Sequence, residues 1–191
     1  ISGGTAFYID AITRGLAETP PADDEIRNRL AADETARPGV TYERLAGLDR
    51  SSAERIGRAN LQRLIRALEV CEITGGKFSD RARVPPSFKP VVLVLDMSRA
   101  DLYRAIDERT RGMFESGLLD EVEHLLSRFP PALPAFASIG YAEAVQVVRG
   151  AMSRDDAVAR AARRSRQLAK RQLTWWRHFR YERMCFVPSP V

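Results

Sequence analysis

Apolar residues recur along this chain with two different periods. Leu61, Leu64, Ile65, Leu68 and Cys71 form a stripe at helical spacing, and Thr74-Gly75-Gly76 supplies the stop, with Gly75 read as the helix C-cap. Phe7 to Gly15 reads as a helix closed by its glycine, preceded by a tight Gly3-Gly4-Thr5 turn and by Ile1-Ser2 as the end of a strand. Asp23 or Asp24 can cap a helix through Ile26, Arg27 and Leu30. Pro38-Gly39 ends it, Tyr42 to Leu48 adds a short helical turn, and Ser51-Ser52-Ala53-Glu54 leads into a polar stretch. Pro90 to Met97 is the clearest strand. Its run Val91 to Leu95 is apolar without alternation, the pattern of a strand covered on both faces in a parallel α/β sheet. One long helical pattern follows from Leu102 to Phe129, with Ile106, Met113, Leu118, Val122, Leu125 and Leu126 apolar. Ile139-Gly140-Tyr141 starts a helix that ends at Gly150. Ser153 with Asp156 three residues on is a capping box opening a helix to about Arg180, and Met184 to Val187 predicts a last short strand.

Composition narrows the class. The chain has 191 residues, 45% of them hydrophobic, and a mean hydropathy of -0.28, which suits a folded domain with a sizeable core. Its longest apolar run is far too short to span a bilayer, so no membrane partner is expected. Cys71 and Cys185 cannot build a disulfide framework, and no Cys/His cluster suggests a metal, so a cytoplasmic setting is expected.

Charge changes the picture more. The net charge is only +5, but Ser153 to Arg183 holds ten basic residues against three acids, a local +7, and the other 160 residues carry −2. A concentrated basic element is how a protein holds a polyanion, although a basic helix can equally be a solvated face. On helical spacing Arg163, Arg166, Lys170, Thr174 and Arg177 share one face, while Leu168, Trp175 and Phe179 fall on another, with Ala162, Ala169, Leu173 and Trp176 near it. Arginine outnumbers lysine there, which suits bidentate phosphate contacts. Trp175 and Trp176 read as core anchors more readily than as base-stacking platforms.

Several strings line up with one family. Gly3-Gly4-Thr5-Ala6-Phe7-Tyr8, Gly15-Leu16, Pro20-Pro21-Ala22-Asp23, Ile26-Arg27 and Gln62 to Val70 (QRLIRALEV) resemble, in order, motifs of the tRNA dimethylallyltransferases. So do Arg109, Met113, Gly117-Leu118 and Glu121-Val122, then Ile139-Gly140-Tyr141 with Glu143, then Arg166-Gln167 and Ala169 to Trp175 (AKRQLTW). The resemblance implies an α/β, helix-rich fold: a P-loop nucleotide-binding-like core over residues 1–20 and 59–191, with a mainly α-helical tRNA-binding insertion over 21–58. It implies transfer of a dimethylallyl group from dimethylallyl diphosphate to the exocyclic amine of the adenosine beside a tRNA anticodon, usually with Mg2+. In that frame Thr5 stands at the target amine and Arg109 at the diphosphate. Arg27, Gln62, Arg63, Arg66, Gly140, Tyr141, Lys170, Arg171, Gln172, Thr174 and Arg177 fall where such proteins touch the anticodon stem-loop.

The same family carries a phosphate-binding G-x-x-G-x-G-K-[ST] loop and an Asp-Ser motif whose aspartate is the proposed general base. Neither string occurs in these 191 residues. Gly76-Lys77 is the only Gly-Lys pair, but Cys71 stands where the pattern needs its first glycine. The expectation is a chain lacking the family's N-terminal P-loop section and inactive by itself. Two departures are smaller: Ala6 replaces a glycine, and Gly57 to Asn60 stands where many relatives carry His-Pro-Asn-Asp. A non-catalytic tRNA-binding module is the alternative; a relative acting on free adenine nucleotides would not need so extended a basic surface.

Overall fold

Capping side chains set the helix starts in the unit formed by residues 7–89 of the computed structural model, which describes residues 1–188. Helix α1 (Ala6–Arg14) leads through Gly15 to strand β1 (Leu16–Ala17). Asp23 caps α2 (Asp24–Ala36), its Oδ1 accepting from the Ile26 N–H at 3.0 Å. Helix α3 (Val40–Leu48) follows the left-handed Gly39, and α4 (Arg50–Ile56) is capped by Asp49. Asn60 caps α5 (Leu61–Thr74), and Gly75, at φ 66°, closes it as the sequence predicts. A 3-10 turn (Phe78–Asp80) and β2 (Arg83–Val84), antiparallel to β1, complete the unit. Most of the predicted stripe is core: Leu64, Leu68 and Cys71 of α5 are buried, with Ala67, against Leu30, Leu45 and Ala53 of α2, α3 and α4, and Ile65 packs beside them, whereas Leu61 at the first turn is exposed. The compact unit therefore extends beyond residues 21–58 to take in α5.

The second unit comprises Ile1–Ala6 and residues from 90 onward. Strand β3 (Val92–Asp96) pairs parallel with β4 (Met184–Pro188), in register Val92 to Met184 through Asp96 to Pro188. Helix α6 (Arg99–Glu115) starts on Ser98, whose Oγ accepts from the Asp101 N–H. Then come α7 (Leu118–Arg128), a 3-10 turn (Pro134–Ala137), α8 (Tyr141–Val148) and α9 (Arg154–His178). Ser153 caps α9 by accepting from the Asp156 N–H at 3.1 Å. Phe114, Leu118, Val122, Phe136, Ala144, Val145, Ala157 and Ala161 form this unit's core. The chain is a helix-rich α/β protein.

Four expectations change. Only Val94 of β3 is buried, and Leu93 and Leu95 are 63% and 68% exposed, because β4 is the one strand beside it among the described residues. Ile1-Ser2 is not in a strand. The long helical pattern breaks in two where Gly117 takes φ 99°, a conformation that ends a right-handed helix. Residues 50–56 are helical although their first turn is polar, because Ser52 and Ala53 are small enough to be fully buried.

Asp49 anchors that short helix and is itself buried. Its Oδ1 accepts from the Ser52 N–H at 3.0 Å and its Oδ2 from the Ser79 N–H at 2.7 Å. Burial pushes its carboxyl up, but the hydrogen bonds from Ser52 and Ser79 outweigh this and hold the pKa at about 2, against an ordinary 3.8. Because the folded-state value is depressed, its contribution is complete above the unfolded-state value and is lost as pH falls from about 3.8 toward 2. We expect Asp49→Ala to cost about 2–4 kcal/mol near pH 7, a lost cap plus an unpaired Ser79 N–H. In urea titrations the gap between wild type and variant should narrow as pH is lowered from 4 to 2.

Candidate nucleic-acid interface

Helix α9 is long, about 37 Å at 1.5 Å per residue, and alanines line much of the side that packs. Ala157, Ala161, Ala162 and Ala169 are buried and let the helix lie close against α6 and α8. The opposite side carries the charge: Arg163, Lys170, Arg171, Thr174 and Arg177 are exposed. Arg166, expected on the same open face, is half-buried and paired with Asp107 of α6. Leu168, expected on the packing side, is exposed instead. Thr174 Oγ1 is turned back to the Lys170 carbonyl at 2.9 Å. Trp175 and Trp176 are half-buried around the buried Phe179, with ring centroids 4.5 Å and 5.6 Å from it. They anchor the end of α9.

The Gly3-Gly4-Thr5 turn lies against this helix. A Cβ on Gly4 would fall 2.6 Å from Gln172 Nε2 and 3.1 Å from its Cδ, so only a glycine lets the backbone come this close with that side chain in place. Gln172 is half-buried there, and Thr5 beside it is exposed. Arg109 projects from α6, exposed and without an ion pair or hydrogen bond to any described residue. Its neighbour Thr110 is buried and donates to the Ile106 carbonyl at 2.7 Å, which satisfies its hydroxyl within the helix. No hydrogen bond or ion pair joins Arg109 to the Gly-Gly-Thr turn.

Gly140 and Tyr141 sit at the start of α8. Gly140 needs its lack of a side chain twice over, for a φ of 95° and for the Met113 methyl 3.3 Å from where a Cβ would be. Its N–H donates to Glu143 Oε2 at 2.9 Å. Glu143 is buried, and its Oε1 also accepts from Arg164 Nη1 at 2.6 Å. The Tyr141 hydroxyl donates to Glu121, and that carboxylate pushes the phenol pKa above its ordinary value.

The predicted residues of the other unit fall into two kinds. Gln62 and Arg63 are exposed on the first turn of α5. Arg27 and Arg66 converge on the fully buried Glu69. Arg27 donates through Nε to Oε1 at 2.9 Å and through Nη2 to Oε2 at 3.1 Å; Arg66 donates through Nη1 to Oε2 at 2.5 Å. The Asp23 N–H adds a bond to Oε1 at 2.6 Å, and Arg66 Nη2 reaches Thr19 Oγ1 and the Pro20 carbonyl at 2.8 and 2.7 Å. Burial opposes ionisation of Glu69, but the Asp23 N–H and the Arg66 and Arg27 guanidinium groups hold its pKa below the ordinary value. Sequence reasoning missed Glu69 and Glu143 as organising groups. The signals were present, a Glu three residues after Arg66 and a Glu three residues after the helix-opening Gly140.

The contact between Gly4 and Gln172 is separable. Gln172 is flexible at its tip, so Gly4→Ala should cost less than about 1 kcal/mol while displacing the carboxamide. In a double-mutant cycle with Gln172→Ala, read by chemical denaturation, we expect a coupling of about 0.5–1 kcal/mol.

Comparison with known proteins places these features in one frame. A family model described as IPP transferase matches residues 1–179. A tRNA dimethylallyltransferase of Symbiobacterium thermophilum is 42% identical over 180 residues, covering 92% of this chain and 56% of its own length. One from Anaeromyxobacter dehalogenans is 39% identical over 184 residues, covering 93% and 60%. Among solved structures, the tRNA delta(2)-isopentenylpyrophosphate transferase of Staphylococcus epidermidis matches with a TM-score of 0.57 and 32% identity over 98% of this chain and 62% of that one. A eukaryotic dimethylallyltransferase acting on tRNA matches with a TM-score of 0.71 and 25% identity, over 91% and 46%. The chain thus spans about 60% of the length of the curated relatives it matches. With the match running over nearly all of its residues, the chain belongs to the IPP transferase family.

Proposed function

We propose that this chain carries the tRNA-holding part of a prenyl transfer to tRNA, together with one arginine on the diphosphate side. A dimethylallyl group leaves dimethylallyl diphosphate and bonds to the exocyclic nitrogen of the adenosine beside the anticodon; the C–O bond breaks with its electron pair leaving on diphosphate, and the amine's proton passes to a base, the role the family gives to the aspartate of its Asp-Ser motif. Family membership supports the reaction class. The reading rests above all on Gly4 lying against Gln172, which ties the turn bearing Thr5 to the basic helix. An adenosine in a stacked loop must be extruded before its amine can react. Thr5, exposed beside the RNA-facing helix, is then the group that meets the amine. Arg109, whose guanidinium has no partner among the described residues, takes up charge developing on the leaving diphosphate.

The anticodon stem-loop is held by Lys170, Arg171 and Arg177, with Gln172, Thr174, Gly140 and Tyr141 beside them, and by Gln62, Arg63, Arg27 and Arg66 of the other unit. We read β3, β4 and their helices as part of a P-loop-like core, residues 21–58 as the helical insertion that grips tRNA, and the setting as cytoplasmic. No helix among the described residues is long and apolar enough to cross a membrane. Among the described residues no three His, Cys, Asp or Glu side chains cluster, so they build no all-protein metal cage; Mg2+, which the resemblance implies, would be held chiefly by substrate phosphates and water.

The 191 residues hold no G-x-x-G-x-G-K-[ST] string. We therefore expect the isolated chain to bind an unmodified anticodon stem-loop but not to prenylate it when dimethylallyl diphosphate and Mg2+ are supplied. Lys170→Glu with Arg171→Glu should weaken that binding about 50-fold or more at 0.1 M salt, since each phosphate contact carries a salt slope of about 0.7–0.9. Filter binding and a radiolabelled-prenyl assay check both arms. Unchanged binding by the double variant would refute the RNA reading, and turnover at ordinary enzyme rates would refute the inactivity.

A further inference from the structure

Glu143 is 1% exposed at the side chain, and two arginines of α9 share it. Arg164 Nη1 lies 2.6 Å from Oε1, and Arg160 Nε lies 3.6 Å from the same oxygen. The other carboxylate oxygen accepts from the Gly140 N–H, and Arg164 Nη2 reaches the Ala137 carbonyl at 3.4 Å. One negative charge therefore serves two positive ones. The group keeps a net +1, and it keeps it at the surface, because 58% of the Arg160 side chain and 34% of the Arg164 side chain are exposed. An arginine tethered by a buried carboxylate loses less side-chain freedom on binding than a free one, and its guanidinium fork matches two phosphate oxygens.

Arg160, Arg164, Gln167 and Arg171 follow one another at helical spacing, so they form a single stripe about 16 Å long. Its far end is Arg171, part of the proposed tRNA contact. Toward its near end Arg164 reaches the Ala137 carbonyl, and its partner Glu143 accepts from the Gly140 N–H. The same arrangement recurs independently at Glu69, where a buried carboxylate that accepts from the Asp23 N–H holds two half-exposed arginines, Arg27 and Arg66.

We propose that Arg160 and Arg164, held by Glu143, form a preorganised site for a phosphodiester group of the bound RNA, two to three helical turns before the Lys170-Arg171 contact. Arg160 and Arg164 are binding residues in this site, and Glu143 is a positioning residue that acts through them. The inference rests on the RNA-binding reading above.

The test uses the full 191-residue chain and an unmodified anticodon stem-loop RNA, with Kd measured from 0.05 to 0.3 M salt. Arg160 is largely exposed and its link to Glu143 is long, so Arg160→Gln leaves the fold intact. It should weaken binding about five- to eightfold at 0.1 M salt and lower the slope of log K against log salt by about 0.7–0.9, the effect of one phosphate contact. Arg160→Lys should restore the slope. Glu143→Gln makes the surface more positive, so a mere charge patch would bind more tightly; loss of positioning predicts weaker binding instead, in protein whose circular dichroism matches wild type. If Arg160→Gln binds with wild-type affinity and slope while Lys170→Glu/Arg171→Glu does not bind, this site is refuted and the RNA reading stands. If the unaltered chain fails to bind the RNA, the reading falls and this inference with it.

Discussion

A carboxylate removed from water is stable only where donors converge on it. Glu69 and Glu143 are buried under that condition, and the conformation of the loop beside each depends on it. At Glu69 the converging donors are the Asp23 N–H and the side chains of Arg27 and Arg66. That carboxylate thereby fixes the approach to α2, and Arg66 goes on to fix Thr19 and Pro20. At Glu143 they are the Gly140 N–H and Arg164, which fix the entry to α8 in a conformation only glycine adopts readily. Removing either acid would leave two arginines without their shared partner and a backbone N–H without an acceptor. These loops are therefore held by charge from the protein interior rather than by their own turn chemistry.

The second constraint is the alanine face of α9. Small side chains let a 25-residue helix pack closely along its length, so its opposite side can carry charge without cost to the core. On the same helix the Gln172 carboxamide lies against Gly4, where a Cβ would have to displace it. In the proposed reaction the turn bearing Thr5 and the surface that holds the RNA are thus parts of one packing arrangement. Arg109 stands on α6, which packs against that helix.

Local signals in the sequence were reliable where the physics is local. Asp23, Ser153, Gly75 and the stripe from Leu61 each specify a helix boundary or face through neighbours within four residues, and each appears as expected. What the sequence did not disclose depends on distant partners. The α4 helix is stabilised by Asp49, whose other oxygen is held by Ser79 thirty residues on. Arg27 and Arg66 look like free basic residues until Glu69 is brought to them, 42 residues from the first. The apolar run of β3 reads as a strand covered on both faces, but coverage is a property of neighbouring layers that the run itself does not encode. Of the candidate site, Thr5, Arg109 and the α9 residues come from the family strings as expectations; the carboxylates that organise the surrounding loops became visible only in three dimensions.

The central claim, that two buried glutamates hold these loops, is tested most directly by amide hydrogen exchange followed by NMR at single-residue resolution. The account predicts that the Asp23 and Gly140 amides, which donate to Glu69 and Glu143, exchange at least about a hundredfold more slowly than the Ala22 amide, which has no partner among the described residues. Exchange at Asp23 and Gly140 as fast as at Ala22 would contradict it.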